Sequence, residues 1–448
     1  MIIEHFCLIL NTHVKLKDDV VIGPLKSKLI FIALLSPASL TYASGVFVDT
    51  QTASGVGYAF AGSSALAQNA SVVAYNPAAM MGLSSGHYLS GSASYVDAQT
   101  NFKGEKNSSI SPIVPTGSEE ANIERKFIVP SAQYVYRSEQ PFAVGMSVSP
   151  LYGNKGEWDK DFVGRYQGLK TEVTGVNVNA SLAFEINPQL MVGLGLNYLD
   201  FDATLTRKAA PLINTNPPLY LGDAQGELKG DGDGWAGNIG IFLRPTDKLD
   251  LGLTYRSETS LKLDGSLTVT TPAAKLVNPA TVEVKMPQSA SLAGAYRFTP
   301  QWTALAELTW YDWSVLPAFS AVNPNNNAVV YEEQLNFKDG LRSSIGALYQ
   351  ITPITQLRFG MAYDQSIVES SSDRTVRFPD ADRIWLSLGA GFQMTQNLGI
   401  DVGYSHIFAN EATIESPTVV AGKPTMQTLN GSFDTDADIF SLQLNYKF

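Results

Sequence analysis

The chain has 448 residues, 44% of them apolar and only 16% charged, with a formal net charge of −11. That charge content is well below the about 25% of ordinary globular domains, and the acidic balance argues against a nucleic-acid partner, because phosphate binding needs a basic surface. One cysteine, Cys7, excludes an internal disulfide. The four histidines (His5, His13, His87, His406) contain no HExxH and no pair at metal-ligand spacing, so neither metal nor cofactor is expected.

Lys26-Ser27-Lys28 precedes the apolar run Leu29 to Ala43, with small residues Thr41 and Ala43 before Ser44. A basic start, a short apolar middle and a small-residue end read as a secretory signal peptide cleaved near Ala43. Residues 1–43 are therefore taken as N-terminal extension and signal. The run is too short to span a bilayer comfortably, and Pro37 interrupts it. Beyond Ala43 there is no run of about 18 apolar residues, so any membrane role must come from strands.

Residues 44–87 are small and nearly uncharged. They contain VVAYNPAAM, Val72 to Met80, in which Asn76-Pro77 cannot sit inside a strand. From Tyr88 onward the pattern has period two. In Leu249 to Gly265, Leu249, Leu251, Leu253, Tyr255, Leu261 and Leu263 share one parity, expected to form one face. Asp250, Thr254, Arg256, Glu258, Lys262 and Asp264 share the other. In Arg383 to Met394, Ile384, Leu386, Leu388 and Phe392 oppose Arg383, Trp385, Ser387 and Gln393. Strands of this length suit a tilted bilayer crossing.

Short turns are expected at 138–140, 187–189, 245–248, 299–301, 351–354 and 396–397. They alternate with long polar stretches at 101–126, 153–171, 207–233, 265–281, 320–336, 368–382 and 411–433. Alternating short turns and long loops around about fourteen strands fit an outer-membrane barrel over 88–448, with both barrel termini on the periplasmic side. The last strand ends in an apolar stripe of Phe440, Leu442, Leu444, Tyr446 and Phe448. As a free edge it would aggregate, and closure into a barrel removes the edge. A terminal aromatic of this kind is what the outer-membrane barrel assembly machinery receives.

The stretches SGVGYAFAGSSALAQNASVVAYNPAAM, LTYRSE, AELTWYDWS, FKDGLRSSIG and FPDADRIWLSLGAGF resemble the FadL/TodX family, outer-membrane transporters of long-chain fatty acids and other hydrophobic compounds. The resemblance runs from about Ser44 to Phe448. It implies an all-β fold: a transmembrane antiparallel β-barrel of about 14 strands, with residues 44–87 forming an N-terminal hatch inside the lumen. It also implies passive transport in a Gram-negative outer membrane, among lipopolysaccharide and outer-membrane lipids, by a monomer. The ligand class it implies is long-chain fatty acids, with aromatic or alkane hydrocarbons as the alternative.

The same resemblance assigns Ser44, Gly45, Asn76, Pro77 and Ala78 to the hatch, and Phe47 and Arg207 to ligand binding. Lys338 is a candidate for a second basic group, although the acidic YEEQLN before it departs from a simple carboxylate site. The family's inward kink of strand three falls on PFAVGMSVSPLYG. Here Pro150 cannot donate to a ladder, which puts a lateral opening near Ser149, Pro150 and Gly153; alternatively Pro150 ends the strand. Arg256 and Arg383 have lumen parity and are expected to pair with carboxylates such as Glu258 and Asp382. GDGDGW begins like a calcium loop, but Phe242 stands at its twelfth position, where Glu is needed. Only His87 and His406 would be available as bases in the mature chain, so an enzyme is not expected.

Overall fold

The computed structural model describes residues 46–213, 219–220, 222–420 and 423–448. The signal peptide, Ser44 and Gly45 lie outside the described residues. Fourteen barrel strands follow one another: β1 Gly86–Gly104, β2 Glu120–Arg137, β3 Phe142–Glu157, β4 Lys170–Asn187, β5 Leu190–Ala209 and β6 Ala224–Thr246. Four of the next are interrupted: β7 (Leu249–Arg256, Thr259–Thr270), β8 (Lys275–Met286, Ser289–Arg297), β9 (Trp302–Tyr311, Ala318–Val322) and β10 (Val329–Gln334, Gly340–Thr352). Then come β11 Thr355–Asp364, β12 Arg383–Gln393, an interrupted β13 (Leu398–Ala409, Ala412–Val420) and β14 Lys423–Lys447.

Each strand pairs antiparallel with the next. β14 closes the barrel on β1 from Tyr88↔Lys447 to Gly104↔Gly431. Closure leaves no strand edge for lipid to meet, which is why strands can cross a bilayer at all. At one end the connections are two to four residues long, where the short turns were expected. At the other end the polar stretches 207–233, 265–281, 320–336 and 411–433 are largely strand rather than loop: long hairpins that carry the wall beyond the lipid. Their Pro, Gly and Asn content reads as loop in the sequence, although Leu267, Val282, Ile414 and Phe433 are buried on their inner faces.

Leu194, Ile239, Leu292, Ile345, Leu388 and Leu442 point outward and are exposed, forming the apolar belt required by lipid. β7 departs from simple alternation. Leu253 and Tyr255 are 47% and 41% exposed on the outer face, whereas Leu261 and Leu263 are 2% and 5% exposed and face inward. The six apolar residues of this segment therefore do not share a face. The break at Ser257–Glu258 shifts the alternation by one residue, and the facing break in β8 at Pro287–Gln288 does the same. Below the breaks apolar side chains face lipid; above them they face the lumen.

Residues 46–83 fold into the barrel as short helical turns, Ala53–Gly57, Ser63–Ala65, Val72–Tyr75 and Pro77–Gly82, and nearly all are buried. The wall admits them through glycine. A Cβ on Gly240 would strike Asn76 Oδ1, and one on Gly252 would strike the Ser64 carbonyl.

Candidate ligand-binding site

Asn76-Pro77 is a helix start inside the lumen. Asn76 is extended, with φ −144°, and Pro77 opens the 3-10 turn, a position where its missing N–H costs nothing. The Asn76 side chain accepts from Ala78 N at 3.0 Å and donates to the Ser64 carbonyl at 2.7 Å and the Ile241 carbonyl of β6 at 3.1 Å. One amide thus joins the turn, the preceding lumen segment and the wall. Ala78 is fully buried beside Gly193 of β5.

The start of the same segment clings to β3. Val48 N donates to the Leu151 carbonyl at 2.9 Å, Gly153 N donates to the Val46 carbonyl at 2.7 Å, and Phe47 bridges Tyr152. β3 runs on past Pro150 to Glu157, so Pro150 does not end it. Its register slips by one residue between Pro150 and Tyr152, a bulge, and residues 149–154 are all buried rather than alternating. β2 and β3 are laddered only from Ala132↔Val148 to Arg137↔Ala143. Beyond Val148, β3 therefore leaves β2 and leans into the lumen. Ser149, Pro150 and Gly153 all lie on this leaning stretch. Behind it sits Gln51, whose amide donates to the Pro150 carbonyl at 3.3 Å and whose carbonyl accepts from Ser92 Oγ at 2.8 Å.

Two cavities meet at residues 46–47. The upper one is almost wholly apolar: Val46, Phe201, Leu205, Leu228, Leu263, Val282, Met286, Trp313, Phe337 and Phe378 line it. That is the character of a site for an apolar molecule. The lower one is polar and is lined by Phe47, Asp49, Gln51, Leu151, Arg256, Ser289, Glu307, Tyr311 and Arg342. Val46 faces the upper cavity and Phe47 the lower, where its ring packs on Tyr152 and Tyr311 at 5.6 and 4.9 Å.

Arg207 on β5 stacks over Tyr331 at 4.2 Å, and Tyr331 in turn stacks on Phe319 of the upper cavity at 5.7 Å, so Arg207 stands one ring outside that cavity. Lys338 is half-buried, donates its backbone N–H to the Ile367 carbonyl at 2.8 Å and lines neither cavity. The structure therefore does not bring Phe47, Arg207 and Lys338 together around one ligand position.

The expected arginine pairings are corrected. Arg383 pairs with Asp364 at 3.4 Å and with Asp380, not with Asp382, which instead accepts from Tyr363 at 2.7 Å. Glu258 pairs with Lys285 at 2.8 Å on the outer side of the β7 break, while Arg256 projects inward and donates to Asn197 Oδ1 at 2.6 Å. Sequence parity missed the Asp49–Arg342 ion pair, 2.5 Å long and buried, which ties the N-terminal segment to β10. Nothing in the spacing of two residues so far apart could have paired them. It also missed Arg377, bound to Glu333 at 3.1 Å and to the Thr206 carbonyl at 2.8 Å.

A closed fourteen-strand barrel with an apolar outer belt and an apolar internal cavity defines an outer-membrane channel for hydrophobic molecules. The sequence profile of the family described as "Outer membrane protein transport protein (OMPP1/FadL/TodX)" matches residues 34–448, and the chain belongs to that family. It is 26% identical over 459 residues to outer membrane protein P1 of Haemophilus influenzae, covering 94% of this chain and 98% of that protein. It is 25% identical over 420 residues to the long-chain fatty acid transport protein of Escherichia coli K12, covering 86% and 91%. Among solved structures it is similar to a Pseudomonas aeruginosa FadL homologue (TM-score 0.82, 23% identity, 90% of this chain and all of that one). The Pseudomonas putida toluene transporter TodX shares the fold at a TM-score of 0.66 and 16% identity, covering 92% and 99%. The protein is thus an outer-membrane transporter of hydrophobic compounds.

Proposed function

We propose that the transported compounds are long-chain fatty acids, taken up passively. The observation that carries this reading is the upper cavity: an almost wholly apolar chamber on the long-hairpin side, with a cation, Arg207, just outside it. An alkyl chain leaves water for that chamber at roughly 0.8 kcal/mol per methylene buried. Residues 46–52 act as a movable gate and 53–83 as the hatch body. The gate separates the two cavities and also backs the leaning stretch of β3. Its displacement joins the chambers and opens a path beside Ser149–Gly153 towards the bilayer. Downhill diffusion suffices. A hydrocarbon channel is the competing reading, since the chamber's aromatic lining would also take a neutral ring.

The test is uptake of labelled oleate by outer-membrane-competent cells that lack their own fatty-acid transporter and express this chain, with toluene uptake measured in parallel. Val282→Trp, which fills the chamber, is expected to abolish oleate uptake while leaving the amount of folded barrel unchanged. Toluene uptake without oleate uptake by the unmodified chain would replace fatty acids with hydrocarbons.

A further inference from the structure

A guanidinium placed at an apolar–polar border without a carboxylate partner is an anion site in waiting, because a buried charge is tolerated only when something compensates it. Arg256 is such a group. It is half-buried, lines the lower cavity and donates to the neutral Asn197 side chain at 2.6 Å. Among the described residues no carboxylate forms an ion pair with it. The cavity's two carboxylates are engaged elsewhere: Asp49 by Arg342 at 2.5 Å, and Glu307 by the Ser64 hydroxyl at 2.8 Å.

Its position is set by the break in β7. Arg256 is the last residue before the alternation shifts, and it pairs in register with Ser289, the first residue after the break in β8. On the two strands the lumen face turns from polar to apolar across this one line. Arg256 and Ser289 line the lower cavity, whereas Leu263 and Met286 line the upper. A molecule lying across the line has its tail among leucine, valine and aromatic side chains and its head beside a guanidinium. Leu151 of the leaning stretch of β3 lines the same cavity as Arg256.

We infer that Arg256 binds the carboxylate of a long-chain fatty acid, holding the head group in the lower cavity beside β3 while the alkyl tail occupies the apolar chamber. This assignment rests on the fatty-acid reading above and adds to it the residue that distinguishes an acid from its neutral analogues. A guanidinium is the suited partner, since its paired N–H groups match a carboxylate.

The experiment is equilibrium binding of oleate and of methyl oleate to the refolded full chain in detergent at pH 8, where the acid is ionised. The unmodified protein is expected to prefer oleate to its methyl ester by about tenfold or more, since a lost charge-assisted contact is worth at least that ratio. Arg256→Ala is expected to erase the preference by weakening oleate alone, with methyl oleate unchanged and serving as the folding control. If Arg256→Ala binds neither ligand, Arg256→Gln, which can still donate to Asn197, decides by the same ratio. A preference that survives in these variants overturns the assignment, as does one that Arg207→Ala erases instead. Equal binding of acid and ester by the unmodified protein overturns Arg256 alone, and binding of neither overturns the fatty-acid reading itself.

Discussion

At the scale of single residues, Asn76 shows how one side chain can fix a whole segment. It is completely buried, and each of its three hydrogen bonds goes to a different part of the structure: its own turn, the Ser64 carbonyl, and the wall at Ile241. Asn76→Ala would orphan one N–H and two carbonyls away from water. An orphaned buried polar group costs about 1–3 kcal/mol. The amides of 78–82 are therefore expected to exchange with deuterium about tenfold faster or more, since 1.4 kcal/mol is a factor of ten, while the β1–β14 ladder keeps its protection. Unchanged exchange at 78–82 would mean that apolar packing of Ala78, Ala79 and Met80 alone holds the turn. Legibility differed between neighbours here. That Asn-Pro is a turn was readable from turn chemistry. That it is a turn buried against Gly240 and Gly193 was not, because glycine in a strand signals close approach without naming what approaches.

At the scale of elements, β3 is the strand that behaves unlike its neighbours. A bulge adds one residue, Leu151, opposite β4, and the ladder to β2 stops at Val148. Deleting Leu151 restores one-to-one pairing and lets the strand continue along β2. The expected result separates two functions: oleate still binds the refolded protein, because the chamber of Phe201, Leu263 and Val282 is untouched, but uptake by cells falls towards background. Loss of both, or of neither, would place the exit elsewhere. The barrel itself was legible because its information is local: two-residue alternation such as Ile384 to Phe392, and turns where Pro, Asn and Thr cluster. β7 was misread at its break because alternation counts residues, whereas a bulge changes which face the count refers to. Leu253 and Leu263 share a parity and end on opposite sides of the wall. The misreading hid the site, since the shift is what turns apolar side chains from lipid to lumen and leaves Arg256 on the border between them.

At the scale of the whole molecule, a barrel this wide conducts water and ions unless something fills it, so how residues 46–83 fill the lumen is a property of the entire channel. The filling is held at its N-terminal end by charge rather than by packing alone. Arg342 pairs with Asp49, donates to the Ala59 carbonyl at 3.3 Å, and lies over Phe60 and Trp385 at 5.2 and 4.7 Å, so one guanidinium holds residues 49, 59 and 60 of the buried N-terminal segment to the wall. Breaking a buried pair by removing one partner costs about 3–5 kcal/mol, because the other charge is stranded, whereas removing both partners costs much less. Arg342→Ala, Asp49→Ala and the double variant are all expected to raise ion conductance in planar bilayers, because each frees residues 46–49. Thermal stability should follow a different order, with either single variant less stable than the double. If the pair were only structural, conductance would track stability and the double variant would be nearly as tight as the unmodified channel. If the pair is the latch, the double variant conducts like the singles despite its recovered stability, and the two measurements part company.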